Sequence, residues 1–203
     1  MTDTTKYPLG KIYAFDFDGT LTYRDSLLEF IRFAKGTKEF ALCFLRFSPL
    51  LVLMKMGLYP NWKAKQKVFS YCFKGMPTAD FNATCARFAK ERPRLLRPKG
   101  IKKLREVLAE GGKAIIISAS INNWVEPFFA GMPEIFVVGT MIEERDGVLT
   151  GRFLTKNCYG KEKVTRLLQL YPERTQYWLT AYDSRGDTEL LDFANEGYYK
   201  PFR

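Results

Sequence analysis

Asp16-Phe17-Asp18-Gly19-Thr20 places two carboxylates two positions apart at the end of an apolar run, Ile12–Phe15. Such a run reads as a buried strand. On a strand, residues two apart share a face, so Asp16 and Asp18 would point together from its mouth. Gly19 lets the backbone turn there. Two like charges held that close are costly unless a cation or a proton lies between them. A hard divalent ion suits the pair, and Mg²⁺ is held by one or two carboxylates plus substrate phosphate. An Asp-rich turn after a strand is common, so later segments must decide.

Three of them bear on it. Ser118 follows the apolar run Ala114–Ile117 and precedes a predicted helix. A hydroxyl and helix N–H groups at a sheet's carboxyl edge form a phosphate site. Lys161 opens a predicted helix, where a cation opposes the helix dipole, so a role toward phosphate explains it better. Asp183-Ser184-Arg185-Gly186-Asp187 adds two acids at another strand end, more than the helix cap that Asp187 or Ser184 would supply.

Composition removes competing chemistries. The 203 residues contain no histidine, which excludes Ser-His-Asp hydrolysis, His-ligated zinc and phosphohistidine. Acids and bases must then be carboxylate, Lys, Tyr or Cys. Cys43, Cys72, Cys85 and Cys158 form no Cys-x-x-Cys pair, and none has an Arg six residues on, as a thiol phosphatase would. With no secretory leader in view, they read as reduced thiols of a cytoplasmic protein. No Gly-Lys is followed by Ser or Thr, so there is no nucleotide-binding P-loop.

The elements that position these residues follow from periodicity. From residue 99 onward, helix alternates with strand. Predicted helices cover Lys99–Glu110, Asn122–Phe129, Lys161–Leu170 and Asp187–Ala194. Predicted strands cover Ala114–Ile117, Ile135–Val138, Tyr177–Ala181 and Tyr198-Tyr199. Asp146-Gly147 turns a hairpin between Met141–Glu144 and Val148–Phe153. The expected fold class is α/β: a Rossmann-like parallel sheet with helices on both faces. Residues 22–98 read instead as helices, giving an all-helical cap inserted between core segments 1–21 and 99–203. Leu27–Ala34, Lys38–Met56 broken at Pro49, Trp62–Phe73 and Ala79–Arg92 are its expected helices.

The net charge of +10 lies wholly in that insert, with 15 Lys/Arg against 5 Asp/Glu between residues 22 and 98. A phosphorylated substrate, an anionic membrane or nucleic acid would answer it, as would a merely basic helical surface. Phe40–Leu58 is long and apolar but carries Arg46, Pro49, Lys55 and Gly57. Three readings stand: a buried helical hairpin, a surface dipping into a membrane interface, and a true span.

Asp16-x-Asp18-x-Thr20, Ser118, Lys161 and Asp183-x-x-x-Asp187, in this order, resemble the haloacid dehalogenase superfamily. The hairpin Glu144–Gly151 and Cys158–Lys163 resemble its phosphoserine phosphatase branch, which carries a helical cap after the first motif. The apolar, basic cap looks most like phosphatidylglycerophosphatase C-like hydrolases. One departure is Tyr182, where many members have Gly; it could narrow the site.

The resemblance implies an Mg²⁺-dependent phosphatase. Asp16 would be the nucleophile, forming an aspartyl-phosphate, and Asp18 the acid and base. Mg²⁺ would bind Asp16, the carbonyl of Asp18 and Asp183. Asp187 would hold a metal-bound water or Lys161. Ser118 and Lys161 would neutralise phosphate oxygens, and Thr20 would support the loop. Asp18 speaks against dehalogenation. Arg24 and Asp25 are the cap candidates for reading substrate. Asp25 stands where phosphoserine phosphatases carry a Glu that reads an amine, and Arg24 would repel one. The expected substrate is therefore a phospholipid head-group phosphate, with a soluble ester such as phosphoserine as the alternative. Peripheral contact with the inner face of an anionic membrane goes with the first. No specific nucleic acid is expected. A non-catalytic basic module that grips membrane or nucleic acid is the reading of another class.

Overall fold

The computed structural model describes residues 7–184 and 188–203. Its centre is a five-stranded sheet in the order β3-β2-β1-β6-β7, every neighbouring pair parallel. The strands are β1 (Lys11–Phe15), β2 (Lys113–Ile121), β3 (Phe136–Thr140), β6 (Trp178–Asp183) and β7 (Glu196–Tyr199). Side chains alternate along β1. Ile12 and Ala14 face a cluster with Ile115, Ile117, Leu167 and Leu190, whereas Tyr13 and Phe15 face one with Ile116, Leu104 and Val107. Both faces are therefore covered, as an all-parallel sheet requires. Helices α4 (Pro98–Ala109), α6 (Lys161–Leu170) and α7 (Thr188–Phe193) supply the cover, and a short α5 (Asn122–Val125) follows β2.

Between β1 and α4 the chain makes three helices: α1 (Ser26–Lys55), α2 (Asn61–Phe73) and α3 (Thr78–Glu91). A two-stranded neck closes this insertion. Thr22 pairs antiparallel with Leu96, Tyr23 N–H donates to Leu95 C=O at 3.0 Å, and Arg97 N–H to Leu21 C=O at 2.7 Å. The inner faces of the helices meet in an aromatic cluster: Phe30 lies edge-on to Phe81 and Phe88, tilted against Phe73, and stacked on Trp124 of α5. The hairpin β4 (Ile142–Arg145) and β5 (Val148–Phe153) turns at Asp146-Gly147, both with positive φ. It packs on α2, where Phe69 meets Phe153.

Two expectations about the insert are corrected. Pro49 does not break its helix. Its missing N–H strands the carbonyl of Leu45, and the Ser48 hydroxyl donates to that carbonyl at 2.8 Å instead. The kink lies at Gly36, whose φ of 81° only glycine adopts readily. Phe40–Leu58 is likewise not a buried hairpin: it runs along one helix and past its end. Within it Cys43 alone is buried, while Leu42, Leu45, Val52, Leu53, Met56 and Leu58 are exposed. Among the described residues no helix is long and apolar enough to cross a membrane.

Candidate active site

The carboxyl ends of β1, β2 and β6 meet at one cleft. After Phe15 the backbone enters a wide turn, Phe17–Leu21, in which Asp18 is extended and Gly19 has φ 77°. Asp16 sits at its start with its N–H donating to the Tyr182 carbonyl on β6 at 2.9 Å. Its carboxylate is buried. Oδ2 accepts from the Thr20 hydroxyl at 3.0 Å, and Oδ1 from Lys163 Nζ at 2.9 Å. The same ammonium donates to Asp183 Oδ2 at 2.8 Å. Lys163 is 0 % exposed, and Asp16 and Asp183 both accept from this buried charge, as an ammonium out of water requires.

Asp18 has a separate support. Its Oδ1 accepts from Ser26 N–H, the first residue of α1, at 2.7 Å, and its Oδ2 from the Ser120 hydroxyl. Ser120 Oγ also lies 2.8 Å from Ser26 Oγ, which accepts from Trp124 Nε1 at 3.1 Å. The acid at the turn is thus tied to both the sheet and the insert. Burial, then the charges of Asp25 and Asp16, push its carboxyl up to about 7 against the pull of Ser120 and Ser26. Asp183 is also pushed up to about 7, by burial first and then by Asp16, against the pull of Lys163.

Asp16, Asp18, Gly19, Ser118, Ser184, Asn61, Lys65, Tyr159 and Arg203 are among the residues lining a cleft of about 500 Å³ above this floor. A buried carboxylate, a lysine, a hydroxyl and a carboxyl pushed up to about 7 together suit attack on an electrophile bearing oxyanions.

A family model for haloacid dehalogenase-like hydrolases matches residues 13–192. The chain belongs to this family. It is 33% identical over 194 residues to Protein CicA of Caulobacter vibrioides, covering 95% of this chain and 86% of that one. A protein of unknown function from Bordetella pertussis Tohama I has the same fold, with TM-score 0.78 and 20% identity over 92% of this chain and 88% of that one. So does a phosphoserine phosphatase solved as a phospho-aspartyl intermediate analogue, with TM-score 0.56 and 15% identity over 93% of each chain.

In this haloacid dehalogenase-like hydrolase, Asp16, Asp18, Thr20, Ser118 and Asp183 come together at the cleft floor. Lys161 does not join them. It is the exposed first residue of α6, and Lys163 takes the place expected of it. Helical geometry explains the exchange. Lys163 lies four residues before the buried Leu167, on the same face, whereas Lys161 lies about 200° away around the axis. Ser118 stands in a different setting from the one predicted. Strand β2 continues to Ile121 with a register shift after Ile117, so no helix begins behind Ser118. Its Oγ accepts from Ser120 N–H at 3.1 Å. Ser120 was not anticipated, although its Ser-x-Ser spacing from Ser118 was a visible sign. Tyr182 does not narrow the cleft. Its ring stacks within the core between Phe15 and Tyr198, with centroids at 4.6 and 5.2 Å.

Arg24 pairs with Glu29 at 3.1 Å, and Asp25 caps α1 by accepting from Leu28 N–H at 3.2 Å. Both line the cleft mouth. Asp187 lies outside the described residues. Among the described residues no three acidic, Cys or His side chains gather to hold a cation. The donor set nonetheless fits one: the buried carboxylates of Asp16 and Asp183 both reach the Lys163 ammonium, and burial first, then the neighbouring Asp16 charge, raises the proton affinity of Asp183. The carbonyl of Asp18, which accepts from Ser184 Oγ at 3.2 Å beside Asp183, can serve as a third oxygen.

Proposed function

We propose that this chain is a phosphomonoester hydrolase that works through an aspartyl-phosphate on Asp16. The observation that carries the reading is Lys163 between Asp16 and Asp183 at the foot of the cleft, beside an Asp18 that keeps its proton near neutrality. The Asp16 carboxylate attacks phosphorus as the bond to the ester oxygen breaks. Asp18 gives its proton to that departing oxygen, then takes one from the water that cleaves the acyl phosphate. Lys163 and the Ser118 hydroxyl hold phosphoryl oxygens as charge shifts among them. Thr20 keeps the Asp16 carboxylate oriented. Mg²⁺ would be held by Asp16, Asp183 and the Asp18 carbonyl, and it supplies charge neutralisation.

Residues 22–98 act in this reading as a cap that selects substrate. A second cavity of about 670 Å³, lined by Trp62, Gln66, Phe153 and Leu154, shares Asn61 and Tyr159 with the cleft. Its apolar walls favour an ester with an apolar portion, a phospholipid head-group phosphate, over a soluble ester such as phosphoserine. Asp25 is already engaged in capping α1, which also weakens the phosphoserine reading. The exposed apolar side chains of α1, in an insert of net charge +10, support peripheral contact with an anionic membrane from the cytoplasm.

The deciding experiment is a phosphatase screen with Mg²⁺ on soluble esters and dispersed lipid phosphates, with Asp16→Asn as control. Turnover by the wild type that EDTA stops and Asp16→Asn lacks is the expected result. No turnover of any ester would favour a non-catalytic binding module.

A further inference from the structure

The last residues return to the cleft. Lys200, in the left-handed region at φ 51°, donates its N–H to the Asp183 carbonyl at 2.8 Å. Phe202 then seats its ring against Tyr182 and Phe15, with centroids at 5.5 and 6.4 Å. The seat exists because residue 100 is glycine: a Cβ there would lie 3.2 Å from the Phe202 ring and 2.8 Å from Leu21. This anchoring carries Arg203 to the rim, its guanidinium 3.8 Å from where a Cβ on Gly19 would be. Arg203 lines the cleft, and among the described residues no acid pairs with it.

A guanidinium at the cleft rim that pairs with no acid among the described residues is suited to recognise an oxyanion. The reacting phosphoryl group belongs on the buried floor, with Lys163 and Ser118. The proton donor Asp18 must face the departing oxygen, so the leaving group lies over the Asp18–Gly19 turn, where Arg203 stands. We propose that Arg203 is a specificity-determining residue that binds a second anionic group on the leaving portion of the substrate, a carboxylate or a phosphodiester. The inference rests on the phosphatase reading.

The test compares three esters in Mg²⁺: ethyl phosphate, 2-phosphoglycolate, and glycerol phosphate carrying a methyl phosphodiester on its far hydroxyl. The wild type should prefer one or both anionic esters, and which one distinguishes the two sources of the anion. In Arg203→Gln the preference over ethyl phosphate should fall roughly tenfold or more, mainly through KM, as for a lost charge-assisted hydrogen bond. Arg203→Lys should recover part of it. Phe202→Ala, which frees the tail without touching the guanidinium, should lower the same ratio. Equal losses on all three esters, or no loss of preference in Arg203→Gln, would overturn the role of Arg203 while leaving the phosphatase standing. No turnover of these three, together with none of any soluble or lipid ester in the screen above, would overturn both.

Discussion

Lys163 Nζ lies 2.9 Å from Asp16 Oδ1 and is wholly buried. In the proposed reaction this lysine orients the Asp16 carboxylate and neutralises phosphoryl oxygens. Lys163→Met should lower kcat by about a hundredfold or more, the order seen when one donor to a developing oxyanion is removed. Lys161→Met should stay close to wild type. Steady-state kinetics on an aryl phosphate separates the two, and the reverse ranking would return the role to Lys161.

Asp18→Asn removes the proposed proton donor but keeps an oxygen for Ser26 N–H. Turnover of alkyl phosphates, whose leaving oxygen needs a proton, should fall about 10²–10⁴-fold. An activated aryl phosphate should suffer much less. Equal losses on both would exclude proton donation by Asp18.

Asp183 holds its proton to about 7 when folded, against 3.8 ordinarily, because it is buried beside Asp16. The folded state therefore binds more protons than the unfolded chain between these values. By linkage this group lowers stability as pH rises through that window. Mg²⁺ requires the ionised carboxylate, so its stabilising effect should grow toward and above pH 7. Thermal unfolding in EDTA and in Mg²⁺ at pH 5, 7 and 8 checks this. A Tm difference that shrinks with rising pH would contradict it.

Gly139 on β3 backs the site. A Cβ there would lie 2.5 Å from the Ser120 carbonyl oxygen and 3.2 Å from that of Ser118. Gly139→Ala should push the end of β2 outward, costing about 1–3 kcal/mol of stability by overpacking. It should also lower kcat, because Ser118 and Ser120 move together. Urea unfolding with kinetics on the same variant tests both effects.

The exposed face of α1 gives a test of membrane contact that does not risk the core. Leu45, Leu53 and Met56 are exposed, so replacing all three with Ser should leave circular dichroism unchanged. The wild type should sediment with anionic vesicles at low salt, bind neutral ones weakly, and be partly released by salt. The triple variant should sediment less. Wild type that stays in solution with anionic vesicles would end the membrane reading.

Local chemistry alone determined much of this protein. The two acids at the end of β1 were legible because an apolar strand cannot hold them inside and Gly19 can turn the chain. The Asp146-Gly147 turn and the limits of α6 followed from short-range rules in the same way. The tertiary structure decided what depends on neighbours distant in sequence. Which lysine reaches Asp16 depends on which face of α6 meets the sheet. Whether Pro49 breaks a helix depends on a donor for the freed carbonyl, which Ser48 supplies. Arg203 reaches the cleft only because Phe202 finds a seat on rings from β1 and β6 beside Gly100. No local pattern encodes the contacts that join Phe202 to Phe15 and Gly100, a hundred residues away or more.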